Sequence, residues 1–134
     1  MTNGSNSFGV AFDRIIWIDR LLRQHPNVVA IQRTRDIVFN IDRKRGLAIQ
    51  LVCLDEYTCG MARVLEVLDT FSATNLIYVG GVWNGYTCEA KEYCLAAHIG
   101  LFNTGEMTGA LYRDDFWAYH KKDKDGNPTY PCKF

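Results

Sequence analysis

Residues 36–54 constrain the fold of this chain more than any other stretch, because they predict a β-hairpin whose second strand is covered on both faces. Bulky apolar residues occupy every second position from 37 to 41, which is typical of a strand. Residues 43–46 supply a charged, glycine-containing turn. The run 47–54 is apolar except at Gln50, as in a strand at the centre of a sheet with helices packed around it.

Length and composition predict one globular domain. The chain has 134 residues, of which 48% are hydrophobic and 22% charged, enough to bury a core. Fifteen basic and fifteen acidic residues cancel, so binding to nucleic acid would need a local basic patch. We expect the domain at 8–120, between a flexible polar tail at 1–7 and a C-terminal tail at 121–134.

Hydrophobic periodicity predicts the element order αβββαβαβα. Apolar residues recur at three- and four-residue steps in four segments, and short β-branched or apolar runs separate them. The helices are expected at 8–24, 61–71, 87–98 and 104–120, and the strands outside the hairpin at 28–32, 76–79 and 99–102.

This order and several local phrases resemble the Mrr-type branch of the restriction-endonuclease-like PD-(D/E)XK nucleases, over roughly residues 8–112. Phe12-Asp13 followed by Leu21-Leu22 resembles the first helix of that family. The resemblance implies an α/β fold with a restriction-endonuclease-like αβββαβαβ core, in which helices flank a mixed central sheet. The closer phrases are Tyr78-Val79-Gly80-Gly81, Gly85-Tyr86-Thr87, Ala90-Lys91-Glu92-Tyr93-Cys94 and His98-Ile99-Gly100-Leu101.

The resemblance implies a catalytic and metal-binding site on the hairpin. Asp36 stands where the family's metal-binding aspartate starts a strand, and Gln50 where many members carry the glutamine of a Gln-x-Lys motif; Asp13 is a further catalytic candidate. Such a site holds Mg²⁺ on carboxylate oxygens and uses a lysine to offset charge on the phosphate. Val52 stands in place of that lysine, so we expect no cleavage and no cofactor, with Mg²⁺ bound only if the site were active.

A lysine or arginine from elsewhere could restore cleavage, because only a cation near the phosphate is required. Arg63 and Lys91 are the candidates, each on a predicted helix. Charged residues on amphipathic helices more often lie on the solvated face. An active metal-dependent endonuclease is therefore the third of the functions considered.

The basic residues around the hairpin favour nucleic-acid binding without cleavage. Five of them are expected to contact phosphates: Arg33, Arg35, Arg43, Lys44 and Arg45. The alternative is a protein-interaction or assembly module, including a homo-oligomer, which the zero net charge and the three tryptophans favour. The alternative to a metal-binding role for Asp36 is a strand-end acid in a surface ion pair with the neighbouring arginines. Trp17 is assigned to the core, and Trp83 is expected to be partly exposed.

The cysteines and the N-terminus predict an intracellular protein, cytoplasmic or nuclear, with no membrane segment. The chain begins with polar residues and has no apolar run near the ~20 residues that span a bilayer. The five cysteines are scattered, which suits free thiols in a reducing compartment. Buried thiols are favoured over zinc ligands, because the two close pairs are spaced more widely than in zinc knuckles.

Overall fold

A mixed five-stranded sheet forms the centre of the protein in a computed structural model that describes residues 3–81 and 83–133. Three strands form an antiparallel meander, and two more are added parallel to the third. This confirms the expected α/β class with a mixed central sheet flanked by helices. In spatial order the strands are β1 (Val28–Thr34), β2 (Val38–Arg43), β3 (Ile49–Leu54), β5 (Leu76–Val79) and β7 (Gly100–Asn103).

Four short strands lie outside this sheet, and the sequence patterns did not predict them. Two of them pair in parallel, β4 (Thr58–Cys59) with β6 (Gly85–Tyr86). The other two form an antiparallel pair near the C-terminus, β8 (Lys121–Lys122) with β9 (Pro128–Thr129). Two-residue strands carry too little hydrophobic alternation to be recognised in sequence.

Three helices follow the apolar periodicity of the sequence. They are α1 (Phe12–Gln24), α2 (Met61–Thr70) and α3 (Cys88–Ala96). The hydroxyl of Thr87 caps α3 by accepting a hydrogen bond from the backbone N–H of Ala90 at 3.1 Å, as its position predicted. None of the described helices is both long and apolar enough to cross a membrane.

The prediction of a long last helix at 104–120 is wrong. Only one helical turn, α4 (Met107–Ala110), and a 3₁₀ turn at Phe116–Ala118 form there. Arg43 explains the break, because its Nη1 donates to the carbonyl oxygens of Leu111, at 3.3 Å, and Arg113, at 2.7 Å. Both carbonyls thus bond to a side chain from β2 as the chain turns back.

Strand β3 lies in the interior of the sheet and is buried along most of its length. Leu51, Val52, Cys53 and Leu54 are all fully buried, and β3 pairs with β2 on one side and β5 on the other. This confirms the expectation that 47–54 contains a strand covered on both faces. The exception in the run, Gln50, is half-buried near the start of β3.

Cysteine chemistry differs from the expectation of five free thiols. Cys88 and Cys132 form a disulfide that links the start of α3 to the C-terminal segment. Cys53, Cys59 and Cys94 are buried thiols, as expected. Because spacing along the chain carries no information on which distant residues meet, the pairing was not predictable from the sequence.

The disulfide should stabilise the folded protein, because it closes a long loop with a sequence separation of 44 residues. We expect Cys132→Ser to lower the free energy of unfolding by about 2–4 kcal/mol. Thermal unfolding with and without a reductant measures this. The reductant should lower the melting temperature of the parent and leave that of the variant unchanged; a parent insensitive to reductant would contradict the disulfide.

Candidate functional site

Asp36 lies in the tight turn between β1 and β2, and its carboxylate is enclosed by the chain itself. The residue is 1% exposed. One carboxylate oxygen accepts from Arg33 Nη1 at 2.9 Å, and the other accepts from the backbone N–H of Gly4 at 3.0 Å and from Asn6 Nδ2 at 2.8 Å. The carboxylate thus fastens the N-terminal segment to the hairpin.

The backbone at this turn is also unusual. Arg35 and Asp36 both have positive φ, 47° and 70°, a conformation that costs most non-glycine residues free energy. Aspartate tolerates it better than most residues. The three hydrogen bonds to the carboxylate offset that cost, which gives Asp36 a structural role.

The segment expected to be a flexible tail makes defined contacts from residue 3 onward. Asn6 bonds to Asp36, and its side chain also exchanges hydrogen bonds with the backbone of Val10. Phe8 is buried, with its ring centroid 5.6 Å from that of Phe71. These contacts cover the side of Asp36 that a metal would need to approach.

Gln50 does not meet Asp36. The register places Val38 opposite Val52, so Asp36 is level with Leu54, four residues from Gln50 along β3. At ~3.3 Å per residue, the two lie about 13 Å apart along the strand. The amide Nε2 of Gln50 donates instead to the hydroxyl of Thr74, at 3.4 Å.

The described residues around Asp36 do not fit Mg²⁺. Hard cations favour several charged oxygens, but both oxygens of Asp36 are occupied by donors of the chain, and Asp13 is an exposed residue whose side chain accepts from the backbone N–H of Arg14. Within residues 3–81 and 83–133, no three His, Cys, Asp or Glu side chains gather in a metal-binding arrangement.

Neither candidate for a relocated cation is available to this site. The Arg63 guanidinium pairs with Glu56 and Glu66 and lies 5.2 Å from the Phe8 ring centroid. Lys91 belongs to α3, which packs against β7, and β7 lies three strands from β2. At ~4.8 Å per strand this is about 14 Å.

Lys91 is part of a buried polar network of its own. It is 2% exposed, its Nζ donates to the Leu101 carbonyl at 2.8 Å, and the Phe102 ring centroid lies 4.3 Å away. Burial lowers the pKa of Lys91 to about 8, while the carboxylate of Glu106 acts in the opposite direction. Glu106 is itself fully buried and accepts from the Tyr86 hydroxyl at 2.8 Å. The network stabilises the packing of α3 on β7.

The five basic residues expected to contact phosphates do not form one surface. Arg43 is 8% exposed, bonds to backbone carbonyls and lies 5.3 Å from the Phe116 ring centroid, so its expected phosphate contact is not available. Arg33 is committed to Asp36. Arg35 is exposed at the other end of the hairpin from Lys44 and Arg45, and Arg45 pairs with Asp114 at 3.6 Å.

A groove along α1, which the sequence did not single out, combines aromatic rings with arginines. It consists of three adjoining concavities of about 450, 180 and 560 Å³. Trp17 lines the first and second, and Arg14 lines the second and third. We call it the α1 groove; its charged and aromatic lining consists of Arg14, Trp17, Arg20, His25, Tyr57, Tyr78 and Trp83.

The groove follows from the helical period and from the sheet. Arg14, Trp17 and Arg20 are three residues apart on α1 and share one side of the helix. The groove continues past the carboxyl ends of β5 and β7, through Gly81 and Thr104. Crevices at the carboxyl ends of parallel strands are a common place for ligands in α/β proteins.

Trp17 packs against Tyr78 and leaves part of its ring exposed. Its ring stacks on that of Tyr78, with centroids 6.1 Å apart and planes within 9°. The Tyr78 hydroxyl bonds to that of Thr104 at 3.1 Å, which fixes the lower ring. Trp17 is nevertheless 43% exposed, so its assignment to the core is wrong.

The third concavity is more open and carries the other two exposed rings. Trp83 is 80% exposed, which confirms the expectation for it, and Tyr57 is 69% exposed. Lys133 Nζ lies 3.5 Å from the Tyr57 ring centroid and donates to the Tyr57 carbonyl at 2.8 Å. The neighbouring Cys88–Cys132 disulfide holds this lysine at the rim.

The cationic side chains in the described lining of the α1 groove are Arg14 and Arg20. None of the described residues lining its three concavities is Asp or Glu. Arg14 Nε lies 3.2 Å from Asp55 Oδ1 as an ion pair, without a hydrogen bond from that nitrogen. Asp55 also accepts from Asn84 Nδ2 at 2.9 Å. The Arg14 side chain remains 38% exposed and faces the groove.

No family model matches the chain, and no curated protein or solved structure does so either. The function is therefore argued from the geometry of the described residues.

If Asp36 is structural, its removal should destabilise the protein. Asp36→Ala deletes the three hydrogen bonds of the buried carboxylate, including its ion pair with Arg33. We expect a loss of about 3 kcal/mol in the free energy of unfolding, measured by urea denaturation. Asp13→Ala, at an exposed carboxylate, should cost about 1 kcal/mol or less. Equal stability of the Asp36 variant and the parent would contradict the structural role.

Proposed function

We propose that this chain is a nucleic-acid-binding module with a restriction-endonuclease-like core and no nuclease activity. The connectivity supports the fold part of the proposal, because an antiparallel meander of β1, β2 and β3 is followed by two parallel strands reached through α2 and α3. That is the order the family resemblance implies.

The arrangement of the hairpin supports the absence of cleavage. Val52 occupies the position of the family's motif lysine and is fully buried. A charged group at this position would have to lose its hydration. The carboxylate of Asp36 is enclosed, and Gln50 lies at the other end of β3. Cleavage would require these three positions to meet at one metal and one phosphate. Instead, Asp36 is enclosed, Gln50 is distant from it, and Val52 is uncharged.

The α1 groove is the observation that carries the nucleic-acid part of the proposal. Arginines and tryptophans succeed one another along it, with no acidic side chain in the described lining. Arginine binds phosphate oxygens, and indole rings stack on bases. Since the net charge of the chain is zero, such a local surface is what binding requires.

A protein-interaction module is the second candidate, and the exposure of Trp83 favours it. Tryptophan and arginine are both enriched at the centres of protein interfaces. The groove would then bind a peptide or a second copy of the chain.

An intracellular location is part of the primary proposal, although the Cys88–Cys132 disulfide is more typical of an oxidising compartment.

The first test is cleavage. The purified protein should leave plasmid and single-stranded DNA intact in Mg²⁺ or Mn²⁺, because no described group is placed to activate water at a phosphate. Gel electrophoresis against a mock preparation measures this. Metal-dependent cleavage that Asp36→Asn abolishes, in a variant shown to be folded, would overturn the proposal.

The second test is binding. Fluorescence anisotropy with labelled DNA, single-stranded and duplex in separate titrations, should show salt-sensitive binding to at least one of them. Arg14→Gln should weaken binding and reduce the magnitude of the salt slope by about 0.7–0.9, the value for one phosphate contact. Lys44→Gln, at the exposed hairpin turn, is the matched control and should behave as the parent.

Two results would contradict this assignment. If neither DNA bound at low salt, the protein-interaction candidate would be favoured. If Lys44→Gln weakened binding and Arg14→Gln did not, the hairpin turn and not the α1 groove would be the contact surface.

A further inference from the structure

We infer that the α1 groove selects unpaired over paired nucleic acid, and that Trp17 and Trp83 are the stacking platforms. This inference rests on the proposed function and adds the class of ligand. It goes beyond the family resemblance, which places the site on the hairpin.

The geometry of Trp17 favours stacking on an unpaired base. Its ring stacks with an offset on that of Tyr78 and the residue is 43% exposed, so it presents aromatic surface to the groove at little cost in side-chain entropy. In a duplex both faces of each base are already stacked on neighbouring base pairs. An unpaired base can turn its face to the indole, and base–aromatic stacking is therefore a hallmark of single-strand binding.

The order of the side chains along the α1 groove also suits a single strand. Arg14 lies between the concavity that Trp17 lines and the one that Trp83 lines. Two separated rings with a guanidinium between them suit a strand whose bases stack and whose phosphate lies between them.

The polar side chains of the α1 groove indicate little sequence preference. The polar side chains beside the rings already have partners: Asn84 donates to Asp55, and the Thr104 hydroxyl bonds to Tyr78 and to the Gly81 carbonyl. Few groups are left to read base edges. Binding should therefore tolerate many sequences, and its salt slope should be small, roughly −1.4 for contacts from Arg14 and Arg20.

The experiment compares a labelled oligothymidylate of roughly 16 nucleotides, the upper end of single-strand site sizes, with a blunt duplex of the same length. The parent should bind the single strand at least about tenfold more tightly. Trp17→Ala and Trp83→Ala should each weaken single-strand binding by roughly 5- to 150-fold, the effect of losing one stacked base. Trp17→Phe, which keeps an aromatic face, should recover most of the loss.

Tyr93→Ala removes a 40% exposed ring on α3, outside the described lining of the α1 groove, and is the matched control. Circular dichroism and the melting temperature verify that each variant is folded. Trp83 is so exposed that its replacement should not disturb the fold, which keeps the test decisive if Trp17→Ala is unstable.

The outcomes separate this inference from the function on which it rests. Duplex binding equal to or tighter than single-strand binding, or single-strand binding unaffected by both tryptophan variants, would overturn the inference and leave the proposed function intact. Absence of binding to both probes would overturn the two together.

Discussion

The burial of β3 on both faces and both edges is the constraint on which the rest of this structure depends. Its residues 51–54 are fully buried, its backbone pairs with β2 and β5, and the helices cover the sheet. A strand in this position supplies a large part of the hydrophobic stabilisation of the fold. It also excludes an unpaired charge, because burying an ammonium group without a partner costs several kcal/mol.

That constraint also bears on the chemistry of the hairpin. Val52 lies in the core where the motif lysine would stand, and among the described residues no three His, Cys, Asp or Glu side chains, Asp36 included, gather in a metal-binding arrangement. The chain uses it instead to bind Arg33, Gly4 and Asn6. The exposed arginine and tryptophan side chains lie elsewhere, on α1 and past the carboxyl ends of the parallel strands, where they reach solvent without disturbing β3.

Much of the fold was predictable from the sequence, because its main elements carry strong local signals. The hairpin alternation, the apolar run of β3, the Thr87 cap and the strand at Leu76–Val79 all appear where the patterns place them. The absence of a long last helix was not predictable, because Arg43 donates hydrogen bonds to the carbonyls of Leu111 and Arg113, which are distant from it in sequence.

The candidate site was less predictable for the same reason. Arg43 looks like a solvent-facing turn residue in sequence, yet Phe116 and the backbone of residues 111–113 enclose it. Trp17 looks like a core residue, yet it stacks on Tyr78 and remains 43% exposed. The three-residue spacing of Arg14, Trp17 and Arg20 was the available signal. It becomes meaningful only when the carboxyl ends of β5 and β7 are known to lie beside it.

The most direct measurement of the central claim is a two-dimensional ¹H–¹⁵N NMR titration with a short unlabelled single strand, read at the indole N–H signals of the three tryptophans. Trp117, which stacks on His98 with ring centroids 4.6 Å apart and outside the α1 groove, is an internal reference. The account predicts that the Trp17 and Trp83 signals shift with added strand while the Trp117 signal and the amides of Asp36 and Lys44 stay in place. Shifts confined to the hairpin amides, or no shift in either tryptophan of the groove, would contradict it.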